Sequence, residues 1–143
     1  MAAEMTENTG AVEALFETLE AREGRIAELE AEVNADPDRD PAPLLEPCMA
    51  IIEALLRAYA AAEGKSLPEN ADLLAVQKAF VKGDPSLNAV RDNVRELIFY
   101  QNCVLTDRRD ALPRRAGRMA VRTTRHIDLY LRSRAEQQWG APA

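Results

Sequence analysis

The sequence has little of the chemistry that metal proteins and most enzymes require. Its 143 residues include one histidine, His126, and two cysteines, Cys48 and Cys103. These residues are too few and too widely separated for the usual zinc sites, and no Glu-x-x-His pair is present to build a ferritin-like metal bundle. Glycine-rich phosphate loops, Gly-x-Ser-x-Gly and Cys-x-x-Cys are also absent. We therefore predict no metal site, no cofactor and no catalytic residue, and we expect a protein that is not an enzyme.

Long apolar runs and export signals are missing as well. No apolar run approaches the about 18 residues that a membrane-spanning helix needs, and the N-terminal segment is acidic rather than basic. Both cysteines fall within apolar helical patterns, which is typical of buried thiols in a reducing compartment. We expect a cytoplasmic protein with no membrane association.

Apolar residues recur with helical spacing in every long segment, and no segment alternates with a period of two. Alanine, leucine and glutamate dominate, whereas aromatic residues make up only 5 % of the chain, and this composition favours helix over sheet. The pattern predicts an all-α fold, an up-and-down bundle of four core helices with an N-terminal helical arm. The core helices are expected at roughly 44–63, 69–81, 86–106 and 113–138.

The arm is predicted from apolar residues that repeat every seven positions between residues 11 and 33. Three prolines between Asn34 and Pro43 end this helix, so the sequence predicts an arm and linker over residues 1–40 and a bundle domain over 41–143. The repeat has two interpretations: an amphipathic helix packed on its own bundle, or an intermolecular coiled coil. In the second, the dimer interface would comprise Val12, Leu15, Leu19, Ile26, Leu29 and Val33.

Charge is distributed very unevenly along the chain. Residues 1–40 hold 12 acids and 3 bases, a balance of −9, whereas residues 107–143 hold 4 acids and 9 bases, a balance of +5. All nine of these bases are arginine. Either the two ends of the chain contact each other, or each serves a different partner.

The last predicted helix is amphipathic and carries the best candidate binding site. Proline at position 113 suits a first helical turn. Helical winding places one set of side chains inward, namely Ala116, Met119, Ala120, Thr123, Ile127, Tyr130 and Leu131. It places an arginine stripe on another face, formed by Arg115, Arg118, Arg122, Arg125 and Arg132. His126 lies on the border between the two faces, and Arg122, His126 and Tyr130 follow one another at intervals of four residues.

An arginine and a histidine on a late helix of a small all-α bundle resemble the HEPN superfamily, which contains RNases and nucleotide-binding proteins. In the motif of that family, arginine and histidine lie further apart in sequence than Arg122 and His126 do here, but closer together than Arg118 and His126. Neither pair in this chain therefore matches the motif. No catalytic residue is therefore transferred to this chain from the resemblance.

Two function classes follow from these features. The first is a non-enzymatic helical module for protein interaction, assembly or regulation, expected to be a homodimer that binds a protein partner. The second is a nucleic-acid or nucleotide-binding bundle that uses the arginine helix, because guanidinium groups bind phosphate in a fork. The acidic N-terminal segment disfavours the second class, since it repels phosphates.

Overall fold

The computed structural model of the chain describes the backbone of residues 2–141 and the side chains of residues 9–141. Within this range the structure contains α-helices, two short 3₁₀ turns (Pro85–Leu87 and Arg109–Ala111) and no strand, so the all-α prediction is confirmed. The helices are α1 (Ala2–Ala35), α2 (Ala42–Ala62), α3 (Leu73–Val81), α4 (Asn88–Leu105) and α5 (Ala116–Trp139).

Helix α2 lies at the centre of the bundle, and the four other helices pack against it. Helices α1 and α5 also pack on each other, as do α3 and α4. An apolar surface this broad has to be covered on several sides, which places α2 inside. Its buried residues are Leu44, Leu45, Cys48, Ile51, Ile52, Leu55, Leu56, Tyr59, Ala60 and Ala62.

Helix α1 is one of the core helices of the bundle rather than a separate arm. Five of its six heptad residues, Leu15, Leu19, Ile26, Leu29 and Val33, are at most 3 % exposed and belong to the same apolar core as α2. Val12 is partly buried. The intramolecular interpretation of the heptad repeat therefore describes this chain, because the repeat covers the apolar surface of α2. A coiled-coil dimer through these residues would require α1 to leave the bundle, and self-association stays a prediction.

The N-terminal end of α1 extends past the other helices. With 34 residues in α1 and 21 in α2, a rise of 1.5 Å per residue gives lengths of about 51 and about 32 Å. Helix α5 runs antiparallel to α1, because Arg125 pairs with Glu30 while Trp139 lies beside Val12. The backbone of residues 2–11 therefore lies beyond the C-terminal end of α5.

Two helix starts differ from the sequence prediction. Helix α3 begins at Leu73 and not at residue 69, as the sequence predicted. The Asp72 carboxylate caps it by accepting a hydrogen bond from the Ala75 N–H at 2.9 Å. Helix α5 begins at Ala116 rather than at residue 113, after Arg115 takes a left-handed conformation with φ of 60°.

Gly117 lets the first turn of α5 approach the first turn of α2. A Cβ at this position would lie 2.7 Å from Leu44 Cδ1 and 3.4 Å from the backbone Cα of Pro41. The second distance is an ordinary van der Waals contact, so a side chain at this position would require only the end of the Leu44 side chain to shift. The close approach brings the linker of residues 36–41 next to the start of the arginine helix.

Candidate functional site

The arginines of α5 leave the helix in three directions, so the predicted stripe is divided among different neighbours. Arg125 and Arg132 reach towards α1. Arg134, which the sequence prediction placed outside the stripe, reaches the segment before α4. Arg118 and Arg122 lie on the outer side of α5, and no ion pair involves either of them among the described residues.

Arg125 joins α5 to α1 through a carboxylate cluster. Its Nη2 lies 2.7 Å from Glu30 Oε1, and its Nη1 lies 2.6 Å from Glu23 Oε2 and 3.3 Å from Asp128 Oδ2. The guanidinium is only 19 % exposed. The hydrogen bonds to Glu30 and Glu23 raise the pKa of Arg125 further above its ordinary value. Partial burial and several partners make this cluster stronger than an exposed pair.

Arg132 closes the same cluster about two helical turns later. Its Nη2 donates to the Leu19 carbonyl oxygen at 3.3 Å and lies 3.5 Å from both Glu23 Oε2 and Asp128 Oδ1. The hydrogen bond from Arg125 lowers the pKa of Glu23. Asp128 is fully buried, and this burial raises the pKa of its carboxyl although Arg132 and Arg125 act in the opposite direction. The acidic N-terminal segment and the basic C-terminal segment therefore contact each other in this cluster.

Replacing Asp128 with asparagine isolates the titration of this buried carboxyl. Folding raises the pKa of Asp128, so as pH rises its carboxyl loses the proton in the unfolded chain before it does so in the folded protein. The wild-type protein therefore loses stability between the pKa of Asp128 in the unfolded chain and its pKa in the folded protein. The quantity to follow is the free energy of unfolding of Asp128→Asn minus that of the wild type. We expect this difference to be smallest below the unfolded pKa of aspartate, about 3.9, and to increase towards neutral pH. Urea unfolding at a series of pH values measures this difference.

Glu23, whose pKa is also shifted, is present in both proteins, so most of its contribution cancels in the comparison. A difference that is constant with pH, or that decreases as pH rises, would contradict a raised pKa for Asp128.

Arginines near the start of α5 hold the linker. Arg115 Nε lies 3.2 Å from Asp38 Oδ1, and Arg109 pairs with Asp40. Both pairs are solvent-exposed, so each contributes only about 0–1 kcal/mol to stability. They orient the linker, and Arg115 is therefore engaged within the chain.

Arg134 and Tyr130 attach the other edge of α5 to the segment before α4. Arg134 stacks on Tyr59 and on Tyr130, with its guanidinium carbon 5.9 and 5.8 Å from the two ring centres, and donates to Ser86 Oγ at 2.7 Å. The Tyr130 hydroxyl donates to the Ser86 carbonyl oxygen at 2.7 Å. Tyr130 is thus turned away from Arg122 and His126 and does not form a ligand site with them.

The outer side of α5 retains only part of the predicted site. Arg122 and His126 are exposed and Arg118 is half-buried. Two apolar side chains lie on the same outer side: Leu129, which is 53 % exposed, and Met119, which is 38 % exposed although the sequence placed it inward. Four of the predicted inward residues are buried, namely Ala116, Ala120, Ile127 and Leu131, whereas Thr123 and Tyr130 are only partly buried. The other buried residues of α5 are Gly117, Val121, Thr124, Asp128 and Ala135.

An open apolar groove of about 670 Å³ lies where α1 passes the end of α5. Phe16 and Trp139 are its largest apolar side chains, with Val12 beside them. The Trp139 ring packs edge-on against the buried Tyr59, with ring centres 5.5 Å apart, so the core fixes its position. The rest of the lining consists of Glu13, Glu17, Glu20, Ala21, Gly140 and Ala141.

Sequence reasoning missed this groove. Phe16 directly follows the heptad residue Leu15, and Trp139 is the only tryptophan of the chain. Either could have drawn attention as an aromatic residue outside the predicted core positions. Their proximity, however, depends on the antiparallel packing of the first and last helices.

The two thiols do not extend the candidate site. Cys48 and Cys103 are free and buried, as the sequence predicted, and burial raises the pKa of Cys48, which disfavours the reactive thiolate. In the part of the chain that the structure describes, there is no group of three or more histidine, cysteine or carboxylate side chains that could hold a metal ion. None of the described helices combines the length and apolar character needed to cross a bilayer.

Comparison of the chain with protein-family models, with curated proteins and with solved structures finds no match.

Proposed function

We propose that this protein is a non-enzymatic helical module for protein interaction, and that it binds a helical segment of its partner in the groove of Val12, Phe16 and Trp139. The observation that supports this proposal is the groove itself, which is open, apolar at its base and held by the core through Tyr59. Fixed aromatic side chains in a groove are the usual anchors of protein interfaces. An amphipathic helix that lays its apolar face into such a groove is a recurrent mode of recognition.

Nucleic-acid binding is the less favoured alternative. Arg115, Arg125 and Arg132 are engaged with carboxylates of the same chain, so Arg118, Arg122 and His126 would have to provide most of the phosphate contacts. Each phosphate contact adds to affinity and to its salt dependence, and a strip of two arginines offers few of them. Homodimerisation also remains a proposal, and it would use a surface other than the buried heptad residues.

The only tryptophan of the chain lies in the proposed groove, so its fluorescence reports on binding there. We expect a tryptophan-free amphipathic peptide with leucine and phenylalanine at i, i+3, i+4 and i+7 to shift the emission of Trp139 saturably. Phe16→Asp should abolish the shift, because it places a charge on the apolar base of the groove.

Leu129→Asp provides the matched control. It introduces the same side chain at an exposed apolar position outside the groove lining, and it should leave binding unchanged. If amphipathic peptides of every polar composition fail to shift the emission, or if both variants lose binding equally, the groove is not the interaction site.

A further inference from the structure

The groove is flanked by exposed acidic side chains, and none of them forms an ion pair with the residues that the structure describes. Glu13, Glu17 and Glu20 line one side of the groove at spacings of four and three residues, so they form one ridge of α1. No ion pair involves any of them among the described residues. They differ in this respect from Glu23 and Glu30 further along the same helix, which Arg125 holds.

No cation lies beside this ridge on α1, because Arg22, the first cation of the sequence, follows Glu20 by two residues and so points to another face of the helix. The first 21 residues contain five glutamates and neither lysine nor arginine. Like charges at these spacings repel one another along a helix, so the ridge gains from a partner that brings positive charge. The repulsion is built into the N-terminal half of α1, the same part of the helix that forms the groove.

From this complementarity we infer that the occupant of the groove is a basic amphipathic helix of a partner protein. Its apolar face would contact Phe16 and Trp139, while lysine or arginine side chains one turn apart would face the ridge of Glu13, Glu17 and Glu20. This inference rests on the proposed function and adds the charge of the partner to it.

A second copy of this chain fits the groove less well. In a two-fold symmetric dimer the same surface meets itself, so the acidic ridges of both copies would lie close together across the interface. Such like-charge juxtaposition disfavours association across a protein interface. Charge thus favours a different, basic partner.

Three tryptophan-free peptides test the inference. They share one apolar face and carry lysine, glutamine or glutamate on the polar face, and the emission of Trp139 reports binding. We expect the lysine peptide to bind more tightly than the glutamine peptide by about tenfold, since each exposed ion pair contributes up to about 1 kcal/mol. Added salt should remove most of this preference.

The triple variant Glu13→Gln, Glu17→Gln, Glu20→Gln should bind the lysine and glutamine peptides equally. The control triple variant, Asp36→Asn, Glu46→Gln, Asp107→Asn, makes the same change in net charge at exposed positions outside the groove lining. It should retain the preference. These two variants separate the local ridge from the overall acidity of the protein.

The possible failures are distinguishable. If the glutamine or glutamate peptide binds as tightly as the lysine peptide, the basic partner is wrong while the proposed function stands. If no peptide binds, both are wrong. Sedimentation of the protein alone tests whether a second copy of the chain occupies the groove. If the protein is an oligomer and Phe16→Asp dissociates it, a second copy is the occupant and the inference is overturned.

Discussion

A chain that begins at Ala42 is expected to lose cooperative unfolding and to have a much smaller free energy of unfolding than the intact protein. Helix α1 supplies five almost fully buried apolar residues to the core. Burying each such side chain contributes about 1.5–3 kcal/mol, and the net stability of a domain is only about 5–15 kcal/mol. Loss of α1 would also expose the apolar surface of α2 that it covers. Urea and thermal unfolding followed by circular dichroism measure the effect.

A chain that begins at Ala11 is the matched control for this truncation. Because Leu15 is the first buried residue of α1 among the side chains that the structure describes, this shorter truncation should retain cooperative unfolding and most of the stability. If the chain from Ala42 instead unfolds cooperatively with nearly the stability of the intact protein, α1 is an arm that the bundle does not need. The division of the chain near residue 40 would then be correct.

Arg125→Ala is expected to cost about 3–5 kcal/mol, the usual effect of removing one partner from a buried ion pair. The reason is that Asp128 is fully buried and Arg125 is one of only two guanidinium groups beside it. Glu23 and Glu30 would also lose their contact with α5. The loss should appear in urea unfolding as a lower midpoint with an unchanged slope.

Arg122→Ala removes the same side chain from the outer side of α5, where no ion pair involves it among the described residues. It should change stability by no more than about 0.5 kcal/mol. In the background of Asp128→Asn, the cost of Arg125→Ala should be smaller, because no buried carboxylate is then left unpaired. Equal effects of Arg125→Ala and Arg122→Ala would show that the carboxylate cluster contributes nothing to stability.

The carboxylate cluster also bears on function. The sequence allowed the arginine face to bind phosphate, to contact the acidic segment or to bind a partner. In the structure, Arg125 and Arg132 contact the acidic helix of the same chain, and the geometry of Glu23 and Asp128 leaves little of either guanidinium free. The proposed interaction site therefore lies at the groove, at the end of α5, rather than along the arginine stripe.

The sequence by itself determined the helical class of the fold and most of the core positions, because helical periodicity and the turn residues are local properties. It placed the break after α1, where three prolines follow the helix. The periodicity and the break depend only on residues close together in the chain. The uneven charge left two alternatives open, contact between the two ends or a different partner for each.

Tertiary structure alone decided which partner each of these surfaces has. The apolar residues of a heptad repeat can be buried equally well against another chain or against α2. Only the packing of α1 on α2 distinguishes these two arrangements. The direction of each α5 arginine depends on which neighbours flank the helix, so Arg125 and Arg134 point to opposite edges. The groove depends on α1 extending past the end of α5, which brings Phe16 and Trp139 together from the two ends of the sequence. No local pattern could predict that contact.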